Sequence, residues 1–271
     1  MHHTTVGVRR VALALALLCA GAAHAQGGSQ EFPLRDNSFF IEEAFNQEPG
    51  KVQTKFRFFR VEEDTELLVD QEWPLGSQRH QLSFTLPFRA NAEAEVFRLT
   101  DVRLTYSLQA QEEDAGRPAF APRLTAILPT AREEDEEGQG NPGIELLLPL
   151  SKQVGGVYLH ANAGTVHRFG VDAGRGEERL LFTPFVGGSA VVQVTPALDL
   201  LLETRADFQA QVTGEGGTER ETEWLLNPGV RFGGELGGNQ LVAGAAAPLG
   251  LAGSLRDVGW FGYISYELRF R

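Results

Sequence analysis

Between Leu198 and Val212 the chain alternates: Leu198, Leu200, Leu202, Thr204, Ala206, Phe208, Ala210 and Val212 share one face, while Asp199, Glu203, Arg205, Asp207, Gln209 and Gln211 populate the other. Only an extended strand puts residues i and i+2 on one side, so a period of two reads as strand. One face seeks hydrocarbon and the other seeks water. The same division recurs in Val102, Leu104, Tyr106 and Leu108 against Asp101, Arg103, Thr105 and Ser107, and in Leu82, Phe84 and Leu86 against Gln81, Ser83 and Thr85. After Gln26 no uninterrupted apolar stretch reaches the ~20 residues that a membrane-crossing helix needs. A membrane reading of this chain therefore requires strands closed into a barrel, because no other non-helical backbone satisfies its own polar groups in lipid.

Period-two reading predicts about twelve strands, with 10 to 14 as the range: 51–61, 67–74, 81–86, 101–108, 119–129, 142–151, 156–169, 179–193, 198–212, 223–233, 240–248 and 258–271. Glycine-rich stretches at 186–190 and 233–238 leave register least specified. Odd-numbered connections include 130–141 with its "REEDEE" run, 170–178, "TGEGGTERET" at 213–222 and 249–257. Even-numbered ones are short turns at 76–78, 152–155 and Thr195-Pro196, with "QEEDAGRP" at 111–118 as a long exception. Long connections on one side and short ones on the other are the pattern of an outer-membrane barrel. The chain finishes on "GYISYELRFR", alternating to its end, and a terminal strand keeps order only if both its edges are paired. Pairing of 258–271 with 51–61 would close the sheet. The expected fold is an all-β, antiparallel, up-and-down transmembrane barrel. Tyr266, Leu268 and Phe270 fit the aromatic-ended terminal strand that barrel-assembly machinery recognises.

Residues 1–25 carry Arg9 and Arg10, an apolar run over 11–18 and an Ala23-His24-Ala25 box, which reads as a cleaved secretory signal peptide. Its loss would remove Cys19, the only cysteine, and take the net charge from −12 to −14. That sign excludes nucleic acid as a partner. About 245 residues would remain, divided into an N-terminal periplasmic segment over 26–50 and a barrel over 51–271. In "NSFFIEEAFNQEPGKVQ" (37–53), Asn37 or Ser38 can cap a short periplasmic helix with Glu42 and Glu43 near its positive end and Pro49-Gly50 as its stop. The segment can lie under the barrel as a lid or enter it as a plug. Loose docking, as termini generally behave, is the expectation.

The stretches "DNSFFIEEAFNQEPGKVQ" (36–53), "QEWPLGSQRHQLSFTLP" (71–87), "FAPRLTAILPT" (120–130) and "HANAGT" (160–165) resemble the meta-pathway phenol-degradation family of outer-membrane β-barrels, often described as transporters. The resemblance covers much of the first half of the chain after residue 25. It implies an outer-membrane channel or transporter for small solutes, hydrophobic or aromatic ones among them, with no cofactor and no catalytic motif.

Alternation directs Asp101, Arg103, Arg123, Glu145, His160, Glu203, Arg205, Asp207, Arg231, Glu267 and Arg269 into the lumen. Acids and arginines interleave, so these residues can orient a solute along a polar pathway. Equally they can form a salt-bridge network that fills a narrow barrel. His160 and His167 stand an odd number apart and point to opposite faces, and His80 is isolated, which speaks against a metal site. An enzymatic alternative would use His160 as base with Asn162 and an unidentified serine, acting on lipid or surface substrates. A soluble periplasmic β-sandwich that binds a ligand is the third reading. Acidic runs at 62–66, 132–137 and 215–223 suit solvated loops or cation-bridged lipopolysaccharide. Trp73, Trp224, Trp260, Tyr106 and Tyr266 suit interfacial girdles or a packed β-core.

Overall fold

A computed structural model of the chain describes residues 36, 38–61, 64–90, 96–131, 140–174, 177–213, 217–253 and 258–270. The expected signal peptide lies outside the described residues, as do the cap candidate Asn37, Glu62 and Glu63, the whole "REEDEE" run and Glu215. No described segment is helical. Twelve antiparallel strands follow one another: β1 Lys51–Val61, β2 Asp64–Pro74, β3 His80–Ala90, β4 Arg98–Leu99 with Arg103–Leu108, β5 Ala119–Phe120 with Arg123–Ile127, and β6 Gly143–Val154. They continue as β7 Val157–Asp172, β8 Glu178–Thr195, β9 Leu198–Val212, β10 Thr218–Leu236, β11 Asn239–Ala246 with Leu249–Ala252, and β12 Trp260–Arg269.

Each strand pairs with its neighbours in sequence, and β12 returns to β1 in a register running from Lys51 opposite Arg269 to Arg60 opposite Trp260. The sheet is thereby a closed barrel without a free edge. The alternating final strand is ordered because it lies between β1 and β11. Register shifts fall at Gln193/Thr195, Arg179/Leu181 and Trp224/Leu225. The glycine-rich stretches expected to be loosest hold register: Gly187 and Gly188 face Arg205 and Thr204, and Gly233 to Leu236 pair in order with β11. The Gly237-Gly238 turn between β10 and β11 takes φ of +63° and +85°, the left-handed pair that a two-residue hairpin needs.

The usual distribution of polarity is inverted. Arg231, Glu203, Asp199, Asn227, Gln81 and Lys55 are buried on the inner wall, while Leu124, Leu146, Leu148, Ile264 and Leu268 are exposed on the outside. An apolar belt encircling a molecule with a charged interior is stable facing lipid and is costly facing water. Trp73, Tyr106 and Tyr266 lie on the outer face toward the end that holds both chain ends, and Trp224 (46% exposed) and Trp260 (53%) toward the opposite end. They mark two levels, as interfacial girdles do.

The largest departure from expectation is the segment before β1. Residue 36 and residues 38–47 lie inside the barrel and are neither helical nor loosely docked. Pro49 and Gly50 do not stop a helix; they form the centre of a turn closed by the Lys51 N–H to the Glu48 carbonyl at 3.2 Å, with Gly50 at φ +79°. Proline before a left-handed glycine suits that turn, which redirects the chain from the lumen into β1.

Candidate functional site: a plugged lumen

A helix would have satisfied the backbone of 38–47 internally, so an extended segment inside a barrel needs its partners from the wall. Glu203 on β9 supplies the first. Its Oε1 accepts the N–H groups of Phe39, Phe40 and Ile41 at 2.9, 2.9 and 3.1 Å, and its Oε2 accepts from Asn227 on β10 at 2.7 Å. Asn162 on β7 reads Glu42 twice, accepting its N–H and donating to its carbonyl, both at 2.8 Å. Ser151 on β6 accepts from Ala44 N–H at 2.8 Å, and Gln109, just after β4, accepts from Asn46 N–H at 3.0 Å and donates to the Ala44 carbonyl at 2.8 Å. Gln81 on β3 accepts from Gln47 N–H at 2.6 Å. Arg231 donates to the Asp36 carbonyl, and Arg123 donates to the Glu43 carbonyl at 2.7 Å. The wall thus replaces a backbone ladder with side chains drawn from most of its circumference.

Side chains of the plug are seated as firmly. Phe39 and Ile41 are each 1% exposed. Phe39 packs against Phe261 (centroids 5.0 Å) and Tyr263 (5.4 Å) on β12, with Val191, Leu201 and Val242 completing an apolar cluster. Glycines make the room: a Cβ on Gly229 or Gly244 would lie 2.6 Å from the Phe39 ring, and one on Gly187 would lie 2.5 Å from Cδ1 of Ile41. Ser38 Oγ meets Ser189 Oγ on β8 at 2.7 Å.

Charge is matched layer by layer. Arg123 pairs with Glu42 at 2.7 Å, Lys55 with Glu72 at 2.5 Å, and Arg231 with Asp199 at 2.9 Å. Toward the far end from the chain termini, Arg57 pairs with Asp70 at 2.8 Å, Arg103 with Glu145 at 3.2 Å, Arg168 with Asp101 at 2.7 Å and Arg205 with Asp207 at 2.8 Å. Arg205 also lies over the Phe185 ring at 4.2 Å. Burial raises Glu43 to about 8. Burial opposes ionisation of Glu42 too, but Lys55, Arg123 and Arg57 outweigh it and hold that carboxyl well below its ordinary value.

The eleven residues expected to face the lumen separate into groups. Arg123, His160, Glu203 and Arg231 converge on the plug. Asp101, Arg103, Glu145, Arg205 and Asp207 form ion pairs beyond it. Glu267 pairs with Lys51 at 2.9 Å near the rim, and Arg269 is exposed there. Tyr266 and Leu268 point outward on β12 and Phe270 follows its end, with Leu268 and Phe270 44% and 50% exposed. Sequence reasoning missed Gln81, Gln109, Ser151 and Asn227 as plug contacts and the three socket glycines. Their shared signal was parity: each lies on the water-facing side of its alternation.

His160 Nδ1 lies 2.8 Å from Ser151 Oγ, and its Nε2 lies 3.8 Å from Glu43 Oε1. Serine, histidine and acid are in sequence, but Ser151 is 1% exposed and its Oγ already accepts Ala44 N–H. With residues 38–47 in place that oxygen is covered, and Ser151 serves there to hold the plug. His167 lies against Phe182 on the outer wall and His80 bonds Tyr106 at 2.6 Å, both away from His160. Among the described residues no group of three metal-ligating side chains forms.

A closed twelve-stranded barrel with a lipid-compatible exterior and a chain segment threaded through its lumen defines the class: a plugged barrel of outer-membrane type. Comparison with solved structures agrees on the fold. An outer-membrane channel from Pseudomonas putida F1 superposes with a TM-score of 0.59 over 89% of this chain and 99% of that one, at 12% identity. The NanC porin superposes with a TM-score of 0.54 over 81% and 99%, at 7% identity. No protein-family model and no curated protein matches the sequence. The chain has the barrel fold of outer-membrane channels.

Proposed function

We propose that this protein is an outer-membrane channel for small solutes, hydrophobic or aromatic ones among them, that is closed by its own residues 36–47 and conducts when they leave the wall. The plug carries this reading. Its backbone is bonded by side chains rather than by a β-ladder, so it can be withdrawn without unpairing any strand of the barrel. A filler that only stiffened the lumen would need no such separable attachment. In the open state Arg103, Glu145, Arg205 and Asp207 would line the approach to the vacated site, and Asp101, Arg123, His160, Glu203, Arg231, Glu267 and Arg269 would line the rest of the pathway.

The likeness to outer-membrane channels supports the location. This reading takes with it export by a signal peptide over 1–25, contact with lipid and lipopolysaccharide, and insertion by barrel-assembly machinery through Tyr266, Leu268 and Phe270. In this reading the chemistry is passage of the solute unchanged. The test is to isolate outer membranes and compare gel mobility with and without boiling, then record planar-bilayer conductance. A detergent-requiring, heat-modifiable band that gives brief, discrete openings supports the proposal. Recovery in the soluble fraction, or insertion without any conductance, overturns it.

A further inference from the structure

Phe39 is itself a small ligand joined to a chain. Its nitrogen, α-carbon, β-carbon and phenyl ring form the skeleton of a 2-arylethylamine, and the wall grips both ends of that skeleton. The nitrogen donates to Glu203 Oε1 at 2.9 Å, while the ring fills the socket of Gly229, Gly244, Phe261 and Tyr263. Glu203 is 1% exposed, and among the described residues no cationic side chain lies within ion-pair distance of it. Three N–H groups of the plug and one amide of Asn227 are what its carboxylate has.

Withdrawal of the plug removes those three donors together and empties the aromatic socket beside them. A buried carboxylate left with a single amide is costly, and the species that compensates it best is a cation that brings several N–H groups to one oxygen. A primary ammonium does so. Arg231 is held by Asp199, to which its Nη2 and Nε are bonded at 2.9 and 3.0 Å.

We propose that the site vacated by Phe39 binds primary 2-arylethylammonium solutes, with Glu203 holding the ammonium and the glycine-floored socket holding the ring. This rests on the channel reading and assigns it a solute class. It also makes the solute a competitor of the plug, so that binding and opening are one event: the ligand can occupy the site only as Phe39 leaves it.

The test uses the full chain, folded in detergent, with hydrogen exchange followed at the amides of 39–41. 2-Phenylethylammonium, ethylammonium and phenylacetate are added separately, and conductance in potassium chloride is recorded on the same preparation. The expected result is that 2-phenylethylammonium speeds exchange by about tenfold or more at concentrations where the other two do nothing, as oppositely charged and like-charged ligands should differ at a buried carboxylate. Glu203→Gln should abolish this response. Gly244→Ala, which retains the charge and narrows the socket, should reduce 2-phenylethylammonium to the level of ethylammonium. Equal effects of all three compounds, or none from any, overturn the inference. If the preparation still conducts, the channel reading survives; if it never conducts, both fail.

Discussion

Replacing Phe39 with alanine should open the channel without weakening the barrel. The ring is 1% exposed, touches Phe261 and Tyr263, and fills space left by Gly229 and Gly244. Truncating a buried phenylalanine costs about 3–5 kcal/mol, and here the cost falls on the docked plug alone, because no strand pairing involves residue 39. At about 1.4 kcal/mol per factor of ten, the ratio of docked to withdrawn plug falls by about two to three and a half orders of magnitude. Single-channel recording in planar bilayers reads this as open probability. Phe39→Ala should raise it steeply, with unchanged unitary conductance and unchanged heat-modifiability. Phe40→Ala, which removes a partly buried ring against Phe59 and Phe261, should have a smaller effect. An open probability equal to wild type in Phe39→Ala, with the barrel folded, would refute the reasoning.

Acidification should close the channel between about pH 8 and 7, above the ordinary range of the neighbouring His160. The docked Glu43 carboxyl is raised to about 8 from 4.5, so docking takes up a proton; its contribution is complete below 4.5 and lost as pH rises through 8, about 1.4 kcal/mol per pH unit in between. Asp36 is raised by burial and has the same sign, whereas Glu42 is lowered and loses its contribution only below its ordinary value. Glu43→Gln should therefore flatten the pH profile of open probability by about one proton. Ser151→Ala leaves the Ala44 N–H without its acceptor and should weaken docking by about 1–3 kcal/mol, read as faster hydrogen exchange at Ala44. Leu146→Arg, at a 41% exposed position on the outer wall, should destabilise the barrel by about 2–4 kcal/mol if the site lies near the bilayer midplane, measured by urea unfolding in lipid vesicles.

Strand number, closure and the facing of inward residues were legible because a half-buried strand encodes its orientation in every residue. Leu104 against Arg103 and Ile264 against Ser265 suffice to point two strands. The ion pairs were foreshadowed by interleaved acids and arginines, but which arginine meets which acid depends on stagger between strands, and that is absent from any one strand. The plug was illegible for a different reason. The acceptors of its backbone N–H groups, Glu203, Asn162, Ser151, Gln109 and Gln81, come from five separate stretches of the chain, so nothing local to 36–50 distinguishes it from a capped helix. Gly187 misled similarly: its strand reads as weak in register, while its missing side chain makes room for Ile41.

A disulfide between plug and wall tests the gate most directly. Ser38 and Ser189 have their Oγ atoms 2.7 Å apart, and Cys19, in the expected leader, is the only native cysteine. In Ser38→Cys/Ser189→Cys, with the crosslink verified by mass, the oxidised protein should be silent in planar bilayers and should open on addition of reductant. Equal conductance before and after reduction would show that solutes pass with residues 36–47 in place, and would contradict the plug as gate.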